Sequence, residues 1–441
     1  MHSPVRIGLL GCGVVGSGFL RLAAERTRSI EDAVGTSLTV TRLAVRDVDK
    51  RRSVDLSGVA IGADPMAVAD AEDVDVLVEL MGGAEAAYPA VHRALERGRS
   101  VVTANKHLIS IYGDELEAVA AASGASLRYE GAVAGVIPVL QSLDHGLRTE
   151  RFTLLVGILN GTTNYILSTM EREGRDFAEA LEAARELGFA EADPSLDLSG
   201  ADTAQKLTIL ARLAFRVPAP HGSIPTEGIV GMELEDLRQA DRFGYVVKLL
   251  GIALRTPGGL DFRVHPAFIP KRYLLASVRD EFNAVYLRGE ASGSMMLYGK
   301  GAGALPTAQA VLGDVMAVAR ESRLRAGTRP GGASGAGAPR RRPATVAAGD
   351  ERLALDEIQT RYYLRLLVED QTGVLAQIAH RLGASRVGIA QMFQAPGLRG
   401  EAEITILTHE ARDRDTRDAV KAIAALPSVR RAPRAIRIFD L

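Results

Sequence analysis

The chain opens on an apolar run at 5–10 that meets the turn Gly11-Cys12-Gly13-Val14-Val15-Gly16 and passes into a helical pattern through Phe19, Leu20, Leu22 and Ala23. This order predicts strand, tight turn and helix. The alternation then repeats, with strands expected over 38–45, 74–80, 100–103 and 126–130 and helices over 84–97 and 113–122. Repeated strand–helix units imply a parallel, doubly wound sheet, an α/β Rossmann arrangement. From Phe152 the texture changes: a strand at 152–159, helices at 164–172, 177–187 and 201–215, then strand-like segments through 245–298. That mixture predicts an α+β second domain. An amphipathic helix over 306–320, after glycines at 299–303, is placed to return to the first domain.

Residues 326–350 hold almost no large apolar side chain and are rich in Gly, Ala, Pro and Arg, the composition of a flexible linker. Beyond it the pattern predicts a strand at 362–368, a helix at 373–382, strands at 388–394 and 401–408, a helix at 414–426 and a strand at 434–439. This βαββαβ order defines a small ferredoxin-like domain. The expected organisation is a dinucleotide-binding domain at 1–130 completed by 299–320, a substrate and dimerisation domain at 131–298, a linker at 326–358 and a C-terminal domain at 359–441.

Composition narrows the function by exclusion. Lys+Arg 53 against Asp+Glu 54 leaves no electrostatic footprint for nucleic acid or an acidic membrane surface. No stretch approaches the roughly 20 apolar residues a membrane helix needs. The N-terminus imitates a signal peptide, but its four early glycines and the lack of a small-residue cleavage site read as a buried strand and turn, which implies a cytoplasmic protein. A single cysteine, Cys12, rules out a disulfide framework and suits a reducing compartment. Only seven of the 53 basic residues are lysine. Arg stays protonated, so a group that must give up a proton has to be Lys, and those seven positions carry information that the arginines do not.

In the turn, Gly11, Gly13, Val14, Val15 and Gly16 bring backbone N–H groups and a helix N-terminus to a pyrophosphate. The second strand ends Val45-Arg46-Asp47: Arg46 suits the 2′-phosphate of NADP, while Asp47 keeps NAD open. Gly82, Thr103 and Lys106 fall at the C-terminal ends of later strands, where doubly wound sheets place ligands. Asp202 and Lys206, at i and i+4, share a helix face. The acidic run 191–202 lacks the glycine and glutamate of a calcium loop. A thioester route needs a cysteine at the nicotinamide, yet Cys12 sits in the phosphate turn. The eight histidines show no motif pairing one with a carboxylate, and lysine remains as the acid/base.

The run Gly157-Ile158-Leu159-Asn160-Gly161-Thr162-Thr163-Asn164, followed by Gly188-Phe189-Ala190-Glu191-Ala192-Asp193-Pro194 and Asp202-Thr203-Ala204-Gln205-Lys206, resembles homoserine dehydrogenase, over 1–320 and through a C-terminal module similar to an ACT domain. The resemblance implies reversible NAD(P)H-dependent reduction of L-aspartate 4-semialdehyde to L-homoserine, in threonine, methionine and isoleucine biosynthesis. With no kinase domain ahead of the turn, the monofunctional form is expected. The resemblance further implies Lys206 as proton donor and Lys106 as second catalytic lysine, touching substrate and cofactor. Glu191 is implied at the substrate amino group, Asp202 near its hydroxyl, and Asp197 and Thr162 as further substrate contacts. Gly188, Gly301 and Gly303 are implied at the cofactor. The segment 130–138 resembles a monovalent-cation loop, which implies Na⁺ held by Glu130, Val133, Gly135 and Ile137. A homodimer or homotetramer and feedback by L-threonine are the further expectations. The alternatives are another lysine-dependent oxidoreductase of amino-acid semialdehydes and a non-catalytic amino-acid-binding regulator.

Overall fold

The computed structural model describes residues 3–327, 351–397 and 400–440, so most of the expected linker, 328–350, lies outside the described residues. Two compact units divide the chain. The first begins with β1 (Val5–Leu10), α1 (Val14–Glu25), α2 (Thr27–Val34), β2 (Leu38–Ala44), β3 (Ala60–Gly62), α3 (Pro65–Asp70), β4 (Val76–Glu79), α4 (Tyr88–Glu96), β5 (Ser100–Thr103), α5 (Lys106–Ser123), β6 (Leu127–Arg128) and the single turn α6 (Val139–Gln141). Its strands run parallel in the order β3-β2-β1-β4-β5-β6, the doubly wound dinucleotide-binding arrangement that the sequence predicts. Strand residues alternate between two apolar layers, Ile7, Leu9, Val76 and Val78 toward one core and Leu10 and Leu77 toward the other. That two-sided burial explains why these strands read as continuous apolar runs.

Helix α5 starts at Lys106 rather than at the expected 113, because the Asn105 side chain accepts from Leu108 N at 3.1 Å and caps it. The strand expected over 126–130 shortens to β6, and Glu130 enters a 3₁₀ turn, Glu130–Ala132.

The second unit begins with β7 (Phe152–Ile158), α7 (Gly161–Glu173), α8 (Phe177–Glu186) and α9 (Ser195–Leu198). Helix α10 (Ala201–Phe215) crosses the division, its residues through Ala204 falling in the second unit and those from Gln205 in the first. Then come α11 (Leu234–Arg242), β8 (Tyr245–Thr256), β9 (Gly259–Pro270), β10 (Phe282–Gly289) and β11 (Gly293–Lys300). The chain returns to the first unit at Met296, within β11, and continues in α12 (Ala304–Gly327), which passes the expected end at 320. A Cβ on Gly18 of α1 would stand 3.0 Å from Ala304 O, so glycine there lets the two helices touch.

The C-terminal residues form β12 (Gln359–Glu369), α13 (Val374–Ala384), β13 (Ile389–Pro396), β14 (Glu401–Thr408), β15 (Ala411–Arg412), α14 (Asp413–Ala424) and β16 (Arg434–Ile438), the predicted βαββαβ order with the two-residue β15 added. Two expectations need correction. This module is no separately tethered body: β16 pairs in parallel with β9, Arg437 opposite Ala267, and joins one sheet ordered β11-β10-β7-β8-β9-β16-β12-β14-β13. The last linker residues, 351–358, are also fixed, with Leu260 N donating to Glu351 O and Leu353 N to Leu260 O, each at 2.8 Å. Backbone groups along the open edge of β9 supply these partners, a pairing that side-chain composition does not signal.

Candidate active site

In the first unit the chemistry gathers at the strand ends. Gly11 has φ +93°, and a Cβ there would stand 2.6 Å from Leu80 O, so only glycine makes this turn. At Gly16 a Cβ would collide with Gly11 O. A Cβ on Gly13 would instead meet nothing within 4 Å, and Val14, the first residue of α1, is exposed. The free N–H groups of α1 therefore face open space, a cradle that fits a dinucleotide pyrophosphate. Val15 is half-buried, and Arg46 follows β2 as an exposed side chain. The Asp47 carboxylate accepts from Asp49 N and Lys50 N, each at 3.1 Å, and closes the loop it stands in.

Beside this turn Glu79 is fully buried. It accepts from Thr103 Oγ1 at 2.6 Å, Met81 N at 2.8 Å and Asn105 Nδ2 at 3.5 Å. Burial pushes its carboxyl up, against the pull of these donors. Thr103 thus spends its hydroxyl within the protein as a strut. Asn105 Nδ2 also donates to Gly83 O at 2.7 Å, fixing Gly82 and Gly83, which both have positive φ. The half-buried Lys106 is the first residue of the helix that Asn105 caps.

In the second unit Asn160 caps α7, its Oδ1 accepting from Thr163 N at 2.8 Å. Its Nδ2 donates to Asp197 Oδ1 at 2.7 Å and to Asp202 Oδ2 at 2.9 Å. Thr162 Oγ1 lies 2.6 Å from Phe189 O and 3.1 Å from Asp197 Oδ2. Thr162, Asp197 and Asp202 are therefore one hydrogen-bonded group. Glu191 and Gly188 lie exposed on the segment after α8, where Gly188 has φ +74° and a Cβ would meet nothing within 4 Å. On α10, Asp202 is 4% and Lys206 8% exposed, one helical turn apart.

The predicted cation loop belongs to the first unit. Both Glu130 oxygens accept backbone N–H groups, from Leu140 at 2.9 Å and Gln141 at 2.7 Å, while Glu130 N donates to Asp314 Oδ2 at 2.8 Å. Burial pushes the Glu130 carboxyl up to about 7 and that of Asp314 up to about 6. Between Val133 and Ile137 the chain reverses through Ala134 and Gly135, both at positive φ, and the Ile137 carbonyl accepts from Val139 N at 2.8 Å. Buried carboxylates and main-chain carbonyls are the donor types that a hard monovalent cation takes. A Cβ on Gly135 would stand 2.7 Å from Lys300 O, so this loop packs on the second glycine segment, which holds the buried Gly301 and the exposed Gly303.

Sequence reasoning missed several residues. Asn160 lay inside a recognised motif, but which carboxylates it would meet was set by chain crossings about 40 residues away. His107 stands against His221, ring centroids 5.4 Å apart, and His107 Nδ1 lies 3.1 Å from Gln205 Nε2, just before Lys206. Burial lowers the His221 pKa, with His107 and Arg212 adding to the shift. Lys248, without a role in sequence, is fully buried and donates to Val278 O at 2.6 Å and Asn164 Oδ1 at 2.9 Å.

Among the described residues no helix is long and apolar enough to cross a membrane. The doubly wound sheet, the phosphate cradle and the match of residues 11–130 to the model for "Homoserine dehydrogenase, NAD binding domain" define an NAD(P)-dependent oxidoreductase. Residues 138–316 match the model for "Homoserine dehydrogenase". A homoserine dehydrogenase of Neisseria gonorrhoeae is 38% identical over 439 residues, covering 99% of each chain. The crystal structure of one from Thiobacillus denitrificans is 40% identical with TM-score 0.91, again over 99% of each chain. A hyperthermophilic archaeal homoserine dehydrogenase in complex with NADPH is 26% identical with TM-score 0.61, over 72% of this chain and 98% of that one. The chain belongs to the homoserine dehydrogenase family, oxidoreductases acting on a CH–OH group.

Proposed function

We propose that the chain interconverts L-homoserine and L-aspartate 4-semialdehyde with a lysine as proton donor and a preference for NADP over NAD. The supporting observation is the grip of Asn160 on Asp197 and Asp202, at the head of the helix whose next turn carries Lys206. Held at the Gly11–Gly16 turn, a nicotinamide dinucleotide would supply the hydride-transfer chemistry at the substrate carbon. Lys206 gives its Nζ proton to the carbonyl oxygen as negative charge builds there, and its ammonium stabilises that charge. Each of these effects is worth about 10² to 10³ in rate. Lys106 supplies a second cation to substrate and cofactor. Glu191 takes the substrate ammonium, Asp202 orients the hydroxyl, and Asp197 and Thr162 complete the polar wall. Gly188, Gly301 and Gly303 border the cofactor. Arg46, exposed after β2, favours the 2′-phosphate of NADP.

Glu130 with the carbonyls of Val133, Gly135 and Ile137 would hold Na⁺, offsetting the buried charge of Glu130 and Asp314. The C-terminal module, with Gly373 at φ +88° turning β12 into α13, suits an ACT-type domain that binds L-threonine. A homodimer or homotetramer in the cytoplasm completes the reading.

Homoserine-dependent reduction of NADP⁺ and NAD⁺, with and without threonine and added Na⁺, tests it. Turnover with the higher kcat/KM for NADP⁺ is expected. Preference for another amino-acid alcohol would favour the related semialdehyde oxidoreductase, and absence of turnover a binding protein.

A further inference from the structure

The C-terminal module holds the rest of the second unit through arginines. Arg437 on β16 donates to Glu227 Oε2 at 2.7 Å and to the buried Asp413 Oδ1 at 2.8 Å. Arg434 Nε lies 3.3 Å from Asp236 Oδ2. Arg365 on β12 donates to Glu233 Oε2 at 2.7 Å and Asp236 Oδ1 at 2.9 Å. Glu227 on one side and Glu233 and Asp236 on the other flank one short segment, residues 228–232, so the module grips it at both ends.

That segment lies against the turn between α9 and α10. A Cβ on Gly228 would collide with Leu198 O and stand 2.6 Å from Ser199 Cα. Ile229 N donates to Leu198 O at 2.9 Å. A Cβ on Gly200 would meet Thr226 Cγ2 at 3.1 Å and Glu227 O at 3.3 Å. On the other side Glu227 N donates to Val264 O at 2.8 Å, and Val264 N to Pro225 O at 2.9 Å. The segment is thus clamped between β9 and the turn joining the element that carries Asp197 to the helix that carries Asp202.

We propose that Arg437, acting through Glu227, is a positioning residue for the substrate site: it seats residues 226–229 under the α9–α10 turn and so sets the spacing of Asp197 and Asp202 across Asn160. The C-terminal module is then a structural part of that site whether or not it binds a ligand of its own. The inference rests on the reading that Asp197 and Asp202 hold the substrate. Groups that orient a substrate lose efficiency with displacements of about 1 Å, which gives a remote anchor leverage on the site.

The Glu227 side chain is 57% exposed and Arg437 keeps Asp413 as a partner, so Glu227 can be changed with the fold intact. In Glu227→Ala the homoserine KM is expected to rise about fivefold, the scale of a partly screened ion pair, with kcat within about twofold. NADP⁺ KM and melting temperature should hold, and Glu227→Gln, which can still accept from Arg437, should recover part of the loss. An unchanged homoserine KM in Glu227→Ala, alongside a damaged Asp202→Asn, overturns this inference alone. A fall in melting temperature with equal losses for both substrates overturns it in favour of bulk stability. If Asp202→Asn itself keeps normal kcat and homoserine KM, the underlying substrate reading fails and this inference with it.

Discussion

Asn160 bridges Asp197 and Asp202 with one amide nitrogen, at 2.7 Å and 2.9 Å, while its oxygen caps helix α7. The donor holds together two carboxylates that would otherwise repel, and the acceptor fixes the donor's direction. Replacement Asn160→Asp keeps the cap but puts a third carboxylate against the other two. Its kcat/KM for homoserine should fall by at least about tenfold and the melting temperature should fall as well, because like charges crowd a buried site even though the cap survives. Steady-state kinetics with thermal unfolding of the same sample checks this.

Lys206 separates charge from proton transfer. Lys206→Arg keeps a cation but cannot cycle its proton near neutral pH, so kcat should fall about 10²-fold or more with homoserine binding largely retained. A near-normal kcat would remove Lys206 from the mechanism.

Sodium should act through a protonation equilibrium. Folding raises Glu130 to about 7 from the ordinary 4.5 and Asp314 to about 6 from 3.8. The folded state therefore binds more protons than the unfolded state between about pH 4 and 7, and this pair costs stability as pH rises through that window. A cation beside the ionised carboxylates offsets the cost. NaCl should raise the melting temperature at pH 8, relative to choline chloride at equal ionic strength, and lose that advantage at pH 5. Glu130→Gln should abolish the sodium-specific shift at pH 8.

Lys248 carries the opposite sign. Burial lowers its pKa to about 8 from 10.5, so between about pH 8 and 10.5 the unfolded state binds more protons and this residue's contribution to stability rises with pH. Lys248→Met removes that dependence and strands Val278 O and Asn164 Oδ1. Its deficit against the parent, read by denaturant unfolding at pH 7.5 and pH 10, should widen at the higher pH.

Much of this was legible in one dimension, because the features are local. The turn at 11–16 is written in glycines that a left-handed φ and close backbone approach demand, and βαβ periodicity follows from which side chains face an apolar layer. Lys106 and Lys206 stood out because a proton-exchanging cation cannot be arginine. Composition expects a linker through 358, yet residues 351–353 use backbone groups to pair with β9.

The sequence by itself determined the doubly wound domain, the βαββαβ module and the residue types able to carry acid–base chemistry, since each depends on spacing within one element or one turn. Only the tertiary structure decided that Asn160 faces both Asp197 and Asp202, that Glu130 lies against Asp314, and that β16 continues the sheet of β9 and places Arg437 on Glu227. Those relationships join residues 37 to 210 positions apart, and they are set by which backbone edges and buried charges find partners once the chain is compact.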